Sequence, residues 1–376
     1  KKIGPGLVDV HVHFRDPGFT HKEDIETGAR SAAAGGFTTV VLMANTKPAV
    51  DTKETLSYVL EKGRKTGIHV ESCACITKGL AGKELTDMKA LREAGAAGFT
   101  DDGIPILDEA LVKAAMVQAK ELDVPLSFHE EDPAYIENNG INHGKASAYY
   151  QIGGSDRMAE ISLVRRDLEL ALSTGAAFDV QHISAKESVA LVREAKKKAK
   201  EMGMDNIHAE ATPHHFSLTE EAAIQYGTLA KMNPPLREEA DRMAVIEGLA
   251  DGTIDLIATD HAPHSAEEKA KPLTEAPSGI IGLETAFSLA ITNLVRPGYL
   301  DLPTLFERMS LAPAKLYHLP AGQIKEGMPA DLIVFDDAAE VVYEKFASKS
   351  SNSPFTGQKL YGRIEMTICE GKEIQK

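Results

Sequence analysis

Two histidines one residue apart, His11 and His13, end a run of alternating β-branched residues over Leu7–His13. Successive side chains in a strand point to opposite faces, so Asp9, His11 and His13 share one face while Val8, Val10 and Val12 share the other. Two neutral imidazoles on one face at a strand's C-terminal end can grip a divalent cation. Alone, His-x-His reads equally well as two partly buried polar histidines. The pattern recurs, however, at the ends of other short apolar runs: Asp101-Asp102, His129-Glu130, His182 and Thr259-Asp260-His261. Four imidazoles and two or more carboxylates facing each other across one rim form a mixed nitrogen and oxygen ligand set, suited to Zn²⁺, with Mn²⁺ or Co²⁺ as substitutes. Six ligands exceed the needs of one tetrahedral zinc and suit two metals about 3.5–4 Å apart that share a carboxylate and a water. Such a metal lowers the pKa of its water to about 7, and a carboxylate held against that water can move its proton to a leaving nitrogen. The chemistry is metal-assisted hydrolysis at a carbonyl or phosphoryl centre, or its reverse.

Those side chains converge only if the strand ends do. The strand candidates are Leu7–His13, Phe37–Leu42, Ile68–Ile76, Ala97–Asp102, Val124–Glu130, Ala177–Ser184, Asn206–Ala211 and Asp255–His261. Amphipathic helical stretches lie between them, and several end at glycine. Strand–helix alternation implies a parallel sheet, and about eight units are what a closed (β/α)8 TIM-like barrel needs. Its C-terminal rim is where active sites of this architecture sit, which favours the barrel over an open doubly wound sheet. After a last barrel-type helix over Pro303–His318 the texture changes to short alternating strands (GMPADLIVFD, EVVYE, LYGRIEMTICEGKEI) separated by turn-rich stretches. Residues 5–320 are therefore expected to form the barrel. Residues 321–376, joined by residues 1–4, are expected to form a small β-rich appendage of β-sandwich type.

Composition narrows the partners. Forty-one basic against 56 acidic residues, a net charge of −15, argue against a nucleic-acid partner, which requires a basic footprint. No apolar run approaches the roughly 20 residues of a membrane helix. Three cysteines make no disulfide framework and fit a reducing cytoplasm. Cys73-x-Cys75 reads as core packing, and Lys196–Lys200 as a solvated helix face. His214-His215 read as structural or supporting groups, His261 as a support for Asp260, and Lys47 as either a steering charge or a solvated one. The chain opens without an initiator methionine, which leaves open whether residues precede Lys1.

Beyond these readings, the run GLVDVHVHFRDPG (Gly6–Gly18) resembles the opening signature of the dihydroorotase family within the amidohydrolase superfamily. ANTKP (Ala44–Pro48), FTDDG (Phe99–Gly103), NPPLR (Asn233–Arg237) and ATDHAPH (Ala258–His264) are similar to its internal signatures, and ADLIVF (Ala330–Phe335) with SPFTG (Ser353–Gly357) to its closing segment. The resemblance implies reversible interconversion of N-carbamoyl-L-aspartate and L-dihydroorotate in pyrimidine synthesis. Carried over by position, it places one zinc on His11, His13 and Asp260 and a second on His129 and His182. Asp102, chosen over Asp101, bridges the two where many relatives use a carboxylated lysine. Asp260 doubles as general acid and base beside a metal-bound hydroxide. The substrate carboxylate falls to Arg15, with Asn45 and His264; His13 and Asn233 also contact substrate, and Ser278-Gly279 offers a backbone contact in place of the family's usual aromatic. The resemblance further implies a homodimer and association with aspartate transcarbamoylase. Relatives carry several dozen residues ahead of the His-x-His strand, which here stands almost at the start of the sequence. The competing readings are another cyclic amidohydrolase, an allantoinase or hydantoinase, and a non-catalytic scaffold, whose mark would be lost ligands.

Overall fold

The computed structural model describes residues 1–374; Gln375 and Lys376, the last residues assigned above to the appendage, lie outside them. Eight parallel segments close a barrel. Strands β2 (Leu7–Val12), β3 (Phe37–Leu42) and β4 (His69–Ser72) form one half. Strands β5 (Leu126–Phe128), β6 (Phe178–Val180), β7 (Ile207–Ala211) and β8 (Leu256–Ile257) form the other. Phe99 joins the halves by parallel bridges to Ala74 and Leu126, and Val12 bridges His261 to shut the remaining seam. The expected fourth strand over Ala97–Asp102 thus shrinks to a bridging position. Several other expected strands are shorter than their apolar runs, because their polar C-terminal residues leave the ladder to meet at the rim.

Every residue of β2 and β3 is buried, as befits strands covered on both sides. Helices wrap the outside, among them Ile25–Ala34, Lys53–Gly63, Glu109–Leu122, Met158–Thr174, Lys186–Glu201 and Glu239–Asp251. Local chemistry sets their ends. Asp24 caps the first helix through Thr27 N–H, and Gly175 ends Met158–Thr174 in a left-handed conformation that most residues resist. The expected last helix, Pro303–His318, carries a π-helical segment at Glu307–Leu311 ahead of Pro313, whose missing N–H cannot continue the ordinary ladder.

The chain ends build the appendage. Strand β1 (Lys2–Pro5) pairs antiparallel with β9 (Leu332–Val342), which pairs with β10 (Lys359–Cys369) and then β11 (Lys372–Glu373). The two expected runs LIVFD and EVVYE join in the single long strand β9. Phe335 on β9 packs against Phe287 and Phe306 with ring centroids 5.2 and 5.5 Å away, fastening the sheet to the barrel's last helices.

Candidate metal centre

Four imidazoles and two carboxylates meet at the C-terminal rim. His11 and His13 come from the end of β2, Asp102 from the loop after Phe99, His129 and His182 from just past β5 and β6, and Asp260 from just past β8. All six are at least nine-tenths buried. Asp102 is central: its Oδ1 lies 3.5 Å from His11 Nε2 and 3.8 Å from both His129 Nδ1 and His182 Nε2, and its Oδ2 lies 3.4 Å from His13 Nε2. Asp260 Oδ1 is 3.4 Å from His11 Nε2 and 3.0 Å from His13 Nε2.

These spacings answer whether a cation fits. Ligand atoms about 2.1 Å from one tetrahedral ion stand about 3.4 Å apart. Among the described residues His11 Nε2 is buried with no hydrogen-bond partner, an orphan facing two carboxylates. The outward nitrogens are occupied: His11 Nδ1 meets Glu210 Oε1 at 2.5 Å, His13 Nδ1 meets Asn45 Oδ1 at 3.0 Å, and His129 Nε2 meets Glu131 Oε2 at 3.0 Å. An N–H donated outward turns the other nitrogen's lone pair inward, the arrangement that metal-ligating histidines adopt. His129 Nδ1 and His182 Nε2, 2.9 Å apart, face each other on the same side. The donor set and its spacing fit a divalent metal centre. Burial alone would raise both carboxyl groups, but the surrounding imidazoles outweigh it: His11 and His182 hold Asp102 well below the usual carboxylate range, and His11 and His13 hold Asp260 below it.

The backbone is strained at the same place. Arg15, His182 and Asp260 adopt positive φ angles of 60°, 31° and 47°, each costing on the order of 1–3 kcal/mol that surrounding contacts must offset. Gly18 makes the loop around Arg15 possible: its φ is +98°, and a Cβ there would lie 2.1 Å from the Lys47 carbonyl oxygen.

A cationic group borders the cluster. Arg15 Nη2 lies 3.3 Å from His264 Nε2, which donates to the Ser278 carbonyl at 2.8 Å, and Arg15 Nε donates to the Pro263 carbonyl at 3.2 Å. Burial, reinforced by Arg15 and Lys22, keeps His264 well below the ordinary histidine value and therefore neutral. Asn45 belongs to the metal cluster, donating to Asp102 Oδ2 at 3.1 Å. Asn233 sits beside Gly140 and Ser278, and among the described residues its Oδ1 is a buried acceptor without a donor. Gly279 is tied into the protein: its N–H donates to the Lys231 carbonyl at 2.9 Å, and its own carbonyl takes Lys269 Nζ and Asn352 Nδ2.

The remaining rim residues have supporting partners. Asp101 accepts the N–H groups of Ile76 and Thr77, anchoring a loop away from the cluster. His261 Nε2 meets Glu23 Oε2 at 3.2 Å, while its Nδ1 accepts Gly282 N–H. His215 donates to the Pro234 carbonyl at 3.0 Å and so holds the loop carrying Asn233. Lys47 is exposed, and Cys73 and Cys75 are buried in the core. Glu130 points into a buried carboxylate pair with Asp167, while its neighbour Glu131 supports His129. Sequence reasoning passed over Glu210 and Glu131; a carboxylate inside the strand run NIHAEA, where a buried parallel strand should be apolar, was the available signal. A cavity of about 650 Å³ lies away from the cluster, between helices Ile25–Ala34 and Lys53–Gly63.

Comparison with known proteins bears on both fold and chemistry. A family model described as dihydro-orotase-like matches residues 1–188. The dihydroorotase of Clostridioides difficile (strain 630) is 56% identical over 372 residues, covering 99% of this chain and 87% of that protein. The dihydroorotase of Clostridium acetobutylicum is 54% identical over 374 residues with the same coverage. Among solved structures, an L-hydantoinase (dihydropyrimidinase) from Arthrobacter aurescens matches with a TM-score of 0.89 at 25% identity, over 100% of this chain and 86% of that one. A D-hydantoinase crystal structure matches at 0.84 and 22% identity, over 100% of this chain and 85% of that one, a likeness of fold.

Proposed function

The chain belongs to the dihydroorotase family of cyclic amidohydrolases, and from that premise we propose that it interconverts N-carbamoyl-L-aspartate and L-dihydroorotate on two zinc ions held by His11, His13, Asp260, His129, His182 and the bridging Asp102. The observation that carries this reading is the pairing of a converging ligand set with a guanidinium at its edge, Arg15 beside His264. Bound divalent cations supply Lewis-acid polarisation of the amide carbonyl and acidify a water.

The chain's own groups do the rest. Asp260, kept ionised by its histidines, accepts a proton at Oδ1 or Oδ2 on the hydrolytic stroke and returns it to the departing ring nitrogen; cyclisation runs the same transfers in reverse. Arg15 offers a planar fork to the substrate carboxylate, and the neutral His264 ring lies against it. Asn45, which lines a small cavity together with Arg15, bonds Asp102 and His13. The orphan Oδ1 of Asn233 supplies an acceptor for a ring or ureido N–H.

Hydantoin and allantoin bring no carboxylate to Arg15, which supports dihydroorotate as the substrate over either. Turnover of dihydroorotate, with none of hydantoin or allantoin, and zinc found by elemental analysis test the assignment; the opposite preference would overturn it. Among the described residues no helix is long and apolar enough to cross a membrane, and all three cysteines are free, which supports a cytoplasmic enzyme. Light scattering tests the family's homodimer, and co-migration tests association with aspartate transcarbamoylase.

A further inference from the structure

At the end of the barrel opposite the rim, three metal-ligating side chains meet that the proposed reaction does not use. His69 opens β4, Asp331 immediately precedes β9, and Cys369 closes β10. One ligand atom from each lies within 4.8 Å of the others. The His69 Nε2 to Asp331 Oδ2 distance is 3.1 Å. Asp331 and Cys369 are buried, whereas the His69 side chain keeps 30% of its surface exposed.

Two features make this more than an ion pair with a thiol nearby. First, the carboxylate is held in place: Asp331 Oδ1 accepts Glu370 N–H at 2.8 Å and its main-chain carbonyl accepts Gly6 N–H at 2.9 Å, leaving Oδ2 for the cluster. The thiol's contact to the Thr38 carbonyl is long, 3.8 Å, and His69 and Asp331 stand within its reach. Second, a cavity of about 340 Å³, lined in part by Arg64, His69, Glu71, Cys369 and Glu370, opens beside two of the three groups, His69 and Cys369. It gives a cation a way in and leaves room for a fourth ligand, either water or the half-buried Glu71. A nitrogen, oxygen and sulfur set of this kind selects a borderline-soft ion that tolerates tetrahedral geometry.

We propose that His69, Asp331 and Cys369 form a second, structural divalent-cation site, fitted to Zn²⁺, that staples the barrel to the appendage. His69 belongs to a barrel strand, while Asp331 and Cys369 belong to the sheet made by the chain's end. A cation held by all three therefore ties the two layers beside the Gly6 N–H to Asp331 carbonyl bond that already joins them. Binding releases the thiol proton, so occupancy rises with pH.

The thiolate makes the site separable from the rim, whose ligands are imidazoles and carboxylates alone. The full chain, stripped with a chelator and titrated with Co²⁺, should take up one equivalent more than Cys369→Ser or His69→Gln. It should also show a thiolate-to-cobalt charge-transfer absorption that both variants lack, with dihydroorotate turnover alike in all three. Zn²⁺ should raise the unfolding midpoint of the wild type more than that of either variant. Equal Co²⁺ uptake by wild type and both variants overturns the proposal. So does a charge-transfer band that survives in Cys369→Ser, which would assign the thiolate to Cys73 or Cys75. Should Cys369→Ser fail to fold, His69→Gln, at a partly exposed position, carries the same readouts.

Discussion

At the C-terminal rim, imidazoles and carboxylates face one another at 3.0–3.8 Å, with the backbone of His182 and Asp260 held at positive φ and, among the described residues, His11 Nε2 left unpaired. At the seam between barrel and appendage, Phe287, Phe306 and Phe335 pack ring against ring, and strand β1 satisfies its backbone against β9. The first region holds unfavourable geometry for which packing elsewhere must compensate; the second is where such compensation is made. Function and stability are thus segregated to different parts of the molecule, and substitutions should separate them.

The sharpest test is Asp260→Asn. It removes the proton acceptor and one ligand while keeping volume and a hydrogen-bonding oxygen, so kcat should fall by about 10²–10⁴-fold or more. The unfolding midpoint should scarcely move, because the rim contributes strain and charge crowding rather than packing. Near-normal turnover would remove Asp260 from its role, and a large loss of stability would break the contrast.

Phe335→Ala is the mirror experiment. Deleting a fully buried ring costs about 3–5 kcal/mol, measured by denaturant unfolding, with kcat/KM unchanged at temperatures where the protein stays folded. A parallel loss of catalysis would mean that the appendage sets the rim geometry.

Arg15→Met probes the edge of the metal cluster. Losing charge-assisted hydrogen bonds to a substrate carboxylate, about 1.5–3 kcal/mol, should raise KM by roughly 10–100-fold and leave kcat far less affected. An unchanged KM would show that the carboxylate binds elsewhere. Glu210→Gln asks whether the rim's support matters as much as its ligands. The carboxylate holding His11 Nδ1 should be worth about 10–100-fold in metal affinity, read by chelator competition, with turnover recovering in excess zinc. Unaltered affinity would reduce Glu210 to a packing group.

How much of this was legible beforehand follows from the period of a strand. His11 and His13 announce themselves because alternation puts them on one face, and Asp102, His129, His182 and Asp260 because polar residues end apolar runs. Glu131 was not legible, and Glu210 only as a carboxylate out of place in an apolar strand: each takes its role from a histidine far away in sequence or turned by a loop, and alternation says nothing about that. The barrel was legible from strand–helix rhythm, but the extent of each strand was not. Whether Phe99 forms a strand or a single bridge depends on neighbours on both sides. The seam was least legible, since the pairing of Lys2 with Phe335 joins opposite ends of the chain.

A smaller effect sits between the two regions, on the segment that carries Ser278 and Gly279 beside His264. Lys269 is buried there, donating Nζ to the carbonyls of Pro277 at 2.9 Å and Gly279 at 3.1 Å. Burial, with Lys231 adding and Glu268 opposing, brings its pKa down to about 7, against an unfolded value near 10.4. Below pH 7 both states hold the proton, and the cost of burying the charge is fully present. Between about pH 7 and 10.4 the folded amine is neutral while the unfolded one still binds a proton, so unfolding takes up a proton and stability rises with pH. The slope is at most about 1.4 kcal/mol per pH unit. Comparing unfolding of wild type and Lys269→Met at several pH values cancels the other titrating groups. The wild type should gain on the variant as pH rises through this window, and a flat difference would show that the amine keeps its proton when folded. A rise in KM for Lys269→Met, through a loosened Ser278 carbonyl at His264, would then show that this segment transmits stability to the rim after all.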